Sequence, residues 1–208
     1  SCVFDYDAVS EASRREIVRR YYQAMCDLRT GRGEETAVSK IELLMNKAEI
    51  TVDINPTVEA SLRKAEETGM PAVAIELPDG RVITGKTSSL LGASSAALLN
   101  ALKELAGLDD SLHLIAPEVI EPIQHLKVEH LGNHNPRLHT DETLIALSIS
   151  AVTDPNAEQA MEHLAELSGC DAHSTVILSQ VDTDVFRKLG VNMSCEPRYQ
   201  TKKLYHKQ

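Results

Sequence analysis

The chain has 208 residues, 42% hydrophobic and 25% charged, with a formal net charge of −10. That is the composition of an ordinary soluble globular protein, and the acidic balance argues against non-specific nucleic-acid binding, which needs Lys and Arg to neutralise phosphates. No apolar run approaches the roughly 18 residues of a membrane helix, and the start "SCVFDYDAVSEASRREI" has neither the basic nor the apolar region of a secretory signal.

The first seventy residues read as three helices. In "AVSEASRREIVRRYYQAMCDLRTG", Ile17, Tyr21, Met25 and Leu28 share one face, with Ser10 as N-cap and Gly31 as stop. "EETAVSKIELLMNKA" repeats the pattern, and "NPTVEASLRKAEETG" opens on Asn55 as cap with Pro56 at the first helical position. The period then changes. "PAVAIELPDGRVITGK" alternates at Val73, Ile75 and Leu77 and turns at Pro78-Asp79-Gly80, which predicts a hairpin. "ASSAALLNALKELAG" follows as a buried helix capped by Ser94 or Ser95 and ended by Gly107.

"SLHLIAP" reads as a short strand, and a short helix is expected from Pro122 to Leu131. "TDETLIALSISAVT" starts a helix with Thr140 as cap, and "DPNAEQAMEHLAELSG" starts another at Asp154-Pro155. "HSTVILS" is a strand, "DTDVFRKLG" a helix and "VNMSC" a last strand. The order predicts an α/β protein: a small N-terminal helical lobe over residues 1–70, then a three-layer α/β/α domain over 71–208 with a mixed sheet. Cys2, Cys26, Cys170 and Cys195 have no CxxC spacing and read as reduced thiols, which fits a cytoplasmic protein. The chain opens on Ser rather than Met, which suggests a fragment of something longer.

Histidines concentrate in "QHLKVEHLGNHNPRLHTDE", at His125, His130, His134 and His139. A helical metal pair wants spacing i, i+4; His125 and His130 are five apart, which on an α-helix turns them away from each other. His130 and His134 have the spacing, but Gly132, Asn133, Asn135 and Pro136 oppose a helix there. The stretch reads as a polar surface turn, and no metal site is assigned.

"LGASSAALLNAL" places a loop before a helix N-terminus, a geometry that holds anions. Thr87, Ser88, Ser89, Ser94 and Ser95 could donate hydrogen bonds there, or serve as ordinary caps. Asn100, mid-helix, must find partners in neighbouring backbone or in a ligand. "DAHSTVIL" puts His173, Ser174 and Thr175 at the start of a buried strand. His173 is the leading catalytic or ligand-binding histidine; the alternative is a histidine satisfied by backbone.

The hairpin "VAIELPDGRVITG" followed by a buried Ala-rich helix, a strand and a Pro-started helix resembles the cytidine deaminase-like fold. The zinc chemistry of that family does not carry over, since Ser94-Ser95 and Ile123…Leu126 stand where ligands would fall. A second, more specific resemblance covers essentially the whole chain. "VSEASRREIVRRY", "VAIELPDGRVITGKTSSLL", "LHLIAPEVIEPIQHLK", "CDAHSTVILS", "FRKLGVNMSCEPRY" and the closing Leu204-Tyr205 resemble the bacterial DUF1846 (UPF0371) family.

That resemblance implies the C-terminal part of a protein about twice as long. The remaining N-terminal half would be Rossmann-like, with a Gly-rich, phosphate- or nucleotide-binding loop. The family pattern maps onto Thr87, Ser88, Ser89, Asn100, Glu121, Lys127, His173, Ser174 and Thr175. It suggests an enzyme fragment that binds a phosphate-bearing or nucleotide-like small molecule together with that N-terminal half. Lys127 would supply charge, Ser88 and Ser89 hydrogen bonds, and His173 would position or transfer a proton. The rival is a non-catalytic oligomerisation module, and a homo-oligomer is expected. No cofactor is named by the sequence.

Overall fold

The computed structural model describes residues 6–200. Leu204-Tyr205 and Cys2 lie outside the described residues. Helices α1 (Tyr6–Arg29) and α2 (Glu35–Lys47) form a hairpin, and α3 (Pro56–Thr68) leads into strands β1 (Ala72–Glu76) and β2 (Val82–Lys86). Then come α4 (Ala93–Leu105), α5 (Pro117–His125), a π-helical segment (Leu126–His130), α6 (Thr140–Ser150) and α7 (Pro155–Glu162). Strand β3 (Asp171–Ser174), helix α8 (Gln180–Lys188) and strand β4 (Asn192–Cys195) complete the order.

The sheet runs β2-β1-β3-β4, antiparallel except for the parallel β3–β4 pair, so it is mixed as expected. Side chains alternate across its two faces. Val73 and Ile75 join Leu98, Leu102, Leu138 and Phe186 in the larger core on the α4 side. Gly85, opposite Val73, has no room for a side chain: a Cβ there would lie 2.1 Å from the Ala97 amide nitrogen, so α4 rests directly on the strand backbone. The other face carries Ala74 and His173, cross-strand neighbours, and meets α1 through Tyr22, whose ring centroid lies 4.6 Å from that of His173. A second core of Val18, Tyr22, Met45, Ile50 and Val58 joins α1, α2 and α3 on that side.

Asn55 caps α3 by accepting from the Thr57 amide, and Gly80 turns the hairpin at φ +88°. Several expectations are corrected. Ser10 lies inside α1 and does not start it. The N-cap of α4 is Gly92 rather than Ser94 or Ser95, and that of α6 is His139, with Thr140 the first helical residue. "SLHLIAP" forms no strand. Lys103 Nζ donates to the carbonyls of Asp110 and Leu112, and Pro117 at once begins α5.

Pro122 therefore sits inside a helix rather than starting one, which removes the amide hydrogen that would bond the Glu118 carbonyl. "HSTVILS" pairs only as far as Ser174; Thr175 donates to Ala72 O, where β1 begins, and the ladder runs out. The rings of His125 and His130, five apart, do meet, edge to face at 5.6 Å. The reason is the π-helical backbone beneath them, whose i to i+5 bonding widens the turn; Leu131 N donates to Leu126 O at 3.1 Å.

Candidate functional site

A cleft of about 310 Å³ opens where the loop before α4, the loop before α6 and the start of α8 converge. It is lined by Thr87, Gly92, Ala93, Ser94, Arg137, His139, Ser179 and Asp182, among others. The two loops are stitched together by backbone. Leu138 N donates to Leu90 O, Gly92 N donates to Leu138 O, and Ser95 Oγ donates to Leu138 O as well. Arg137 Nε donates to the Ser88 carbonyl at 2.5 Å, which lays a buried guanidinium along the cleft wall.

Two hydroxyls stand out. Thr87 and Ser94 are only 2% and 3% exposed, both line the cleft, and neither side chain has a protein hydrogen-bond partner among the described residues. The two residues are buried, but their hydroxyl oxygens are not sealed off: they open onto the cleft, where a ligand could take the place of water. These two sit beside the N-terminus of α4, which has glycine as cap and no side chain on its first amides. A helix N-terminus presents unsatisfied N–H groups and roughly half a positive charge. The other two helix starts are occupied: Ser179 accepts from Asp182 N, and Asp182 Oδ1 accepts from both Thr140 N (2.9 Å) and Thr140 Oγ1 (2.8 Å).

Asp182 Oδ2 faces His139 Nδ1 at 3.4 Å. A carboxylate only accepts, so the proton of that pair sits on Nδ1. The hydrogen bond to Asp182 raises the His139 pKa above its ordinary value despite burial. Burial alone would raise Asp182, but the bonds from His139 and Thr140 outweigh it and hold the carboxyl below its usual range.

The residues singled out from sequence fall into two groups. Thr87 lines the cleft. Ser88 contributes its carbonyl to Arg137, while its hydroxyl accepts from the amides of Leu90 and Leu91. Lys127 is buried behind the wall, where Nζ donates to Arg137 O at 2.6 Å and to Glu142 Oε1 at 2.7 Å. The same Glu142 oxygen accepts from His139 N. Lys127 thus holds the loop that carries Arg137 and His139.

The others lie apart. Ser89 is exposed, and its carbonyl accepts from Gln124. Asn100 Nδ2 donates to Thr84 O and clamps α4 to β2. Ser174 Oγ donates to Val176 O. Thr175 Oγ1 accepts from Ala72 N beside a neighbouring, more open cleft formed with Pro71 and Tyr199.

His173 is fully buried on the α1 side of the sheet. Its Nε2 meets Glu196 Oε1 at 3.1 Å and its Nδ1 meets Ser194 Oγ at 2.7 Å. The order Ser–His–Glu is that of a hydrolase relay, but Ser194 is buried at 5% exposure and its Oγ lies 3.3 Å from the Ala172 carbonyl, to which it donates. In the histidine-rich stretch, His125 pairs with Glu129. Among the described residues no three His, Cys, Asp or Glu side chains gather as a metal requires.

Arg137, His139 and Asp182 were not singled out as site residues from sequence. Arg137 and His139 immediately precede a helix start in the chain, the one sequence-level sign of their placement; Asp182 carried none, since it reaches the cleft from a helix forty residues further on.

The family described as "Domain of unknown function DUF1846, C-terminal" matches residues 53–205, and its N-terminal counterpart matches residues 1–49. A UPF0371 protein of Corynebacterium efficiens is 54% identical over 207 residues, which is 100% of this chain and 42% of that protein. One from Streptococcus pyogenes serotype M5 is 52% identical over 205 residues, 99% of this chain and again 42% of the relative. The chain therefore spans less than half the length of these curated relatives.

Proposed function

The chain belongs to the DUF1846 (UPF0371) family, and from that premise we propose that its cleft binds a phosphate-bearing small molecule as part of a larger enzyme. The observation that carries this is the pair of cleft-facing hydroxyls of the largely buried Thr87 and Ser94, without protein partners among the described residues, beside the uncapped start of α4. Their donors, the α4 amides and the Arg137 guanidinium together suit an oxyanion, and helix N-termini are recurrent phosphate sites. Lys127 acts behind the site as a positioning group. The rest of the longer protein would supply the remainder of the ligand's contacts.

A kinship of fold with cytidine deaminase-like domains rests on the β1-β2-α4 order alone and brings no zinc chemistry. Free Cys26, Cys170 and Cys195 favour a reducing, cytoplasmic setting. No described helix is long and apolar enough to cross a membrane.

The reading is tested by a thermal-shift screen of inorganic phosphate, sugar phosphates and nucleotides on the 208-residue chain and on the full-length protein. A ligand present at a hundred times its Kd adds about 2.7 kcal/mol to stability. A rise in Tm that Thr87→Val and Ser94→Ala remove supports it; no rise with any of these compounds on either protein contradicts it. An assembly role is the second reading, favoured by the exposed stripe Ile145, Ile149 and Val152 on and just beyond α6. Light scattering on the wild type and Ile149→Asp decides it: a dimer that the substitution dissociates supports it, and a monomer counts against it.

A further inference from the structure

The charges around the cleft decide which phosphate it can take. Arg137 comes from the loop before α6, Asp182 from α8, Glu142 from α6 and Lys127 from the π-helical segment. Lys127 and Glu142 are paired at 2.7 Å and cancel. Among the described residues, the charged ones that line the cleft itself are Arg137, Asp182 and, when protonated, His139, which Asp182 engages. The proton on His139 then adds the second positive charge.

His139 is placed for this. Asp182 engages Nδ1 at 3.4 Å, with Ser179 Oγ 3.5 Å away, and Nε2 has no protein partner among the described residues. The Glu142 carboxylate accepts from the His139 backbone amide and fixes the residue in place without using the ring.

We propose that His139, held by Asp182, is the second cation of the cleft, and that the site selects a dianionic terminal phosphate, a phosphomonoester, over a monoanionic diester. This rests on the reading of the cleft as a phosphate site. A protonated imidazole beside Arg137, two hydroxyls and the positive end of α4 give a second negative charge on the ligand a partner of its own. A diester carries one charge and an extra substituent in place of the second oxyanion, so it forfeits the His139 contact. The bond to Asp182 raises the His139 pKa above its ordinary value, which favours the imidazolium.

The test uses sulfate, methyl phosphate and dimethyl phosphate with the 208-residue chain at low ionic strength, by calorimetry. Sulfate stays a dianion from pH 5.5 to 8.5, so any pH dependence of its affinity belongs to the protein. Sulfate affinity is expected to fall about tenfold as pH rises through the His139 pKa, the size of a charge-assisted hydrogen bond. His139→Gln should flatten that curve at the weak, high-pH level. Asp182→Asn, which keeps the acceptor for Thr140, should move the midpoint to lower pH and strengthen sulfate binding at high pH by removing an opposing charge. Methyl phosphate should bind about tenfold more tightly than dimethyl phosphate at pH 6.5.

Sulfate binding that does not change with pH, or an unaltered curve in His139→Gln, overturns the role of His139 and leaves the phosphate site standing. Equal affinity for the two methyl esters overturns the selectivity. No binding of any probe by any variant overturns the phosphate site itself.

Discussion

Two polar clusters flank this sheet, and they differ in what they leave undone. On the α1 side, His173 bonds to Ser194 and Glu196 and packs on Tyr22, so both ring nitrogens are used and the ring is sealed. On the α4 side, Thr87 and Ser94 are nearly as buried yet keep hydroxyls without partners, at a helix start that no side chain caps. The first cluster is a lock between helix and sheet. The second has bonds to give. Burial of a polar group marks structure when its partners are all in the protein, and a ligand site when they are not.

The largest effect should come from breaking the lock. His173→Ala leaves a cavity and strips partners from Ser194 and Glu196, and should cost about 3 kcal/mol in urea denaturation. Phosphate affinity of the folded fraction should stay as in wild type; a loss of affinity at full folding would merge the two clusters.

Lys127→Met comes next. It removes the bond to Arg137 O and leaves Glu142 without its cation, at a cost of roughly 2 kcal/mol in the same measurement. It should also weaken phosphate binding, because the loop carrying Arg137 and His139 loosens.

Thr87→Val and Ser94→Ala should shift stability by under about 0.5 kcal/mol, since no protein bond is lost, while each lowers phosphate affinity roughly tenfold. A large loss of stability would mean that these hydroxyls have protein partners after all.

The smallest effect is on pH. His139 has its pKa raised by folding, so its contribution is complete below the ordinary 6.5 and fades as pH climbs through the raised value. Asp182 has its pKa lowered, so its contribution is complete above the ordinary 3.8 and fades as pH falls through the depressed value. The pair should therefore stabilise the fold on a plateau between these limits, seen as a flat region in the Tm against pH that Asp182→Asn erodes on both sides.

The fold was legible in the sequence where local chemistry decides. Pro78-Asp79-Gly80 made the hairpin, Asn55-Pro56 began α3, and Asp154-Pro155 began α7. It was not legible where tertiary contacts decide. "SLHLIAP" has a strand's composition but pairs with no strand and has its Leu112 carbonyl taken by Lys103, and Pro122 is carried inside a helix that Pro117 had already begun. The loop–helix signal in "LGASSAALLNAL" located one wall of the cleft. The other walls, Arg137, His139 and Asp182, come from segments brought together only by folding, and neither spacing nor composition joins them. The histidine that drew attention as a polar residue at a buried strand belongs to the lock; the one beside the cleft is His139, at the end of a run that reads as a turn.

Whether an oxyanion binds at the start of α4 is decided by a titration of the amide proton–nitrogen spectrum with inorganic phosphate. Saturable shifts are expected at Ala93, Ser94 and Ser95, together with Thr87 and His139, while His173 and Ser194 stay unmoved. Saturable shifts clustered elsewhere with the α4 amides still, or no saturable shift at all, would contradict such binding.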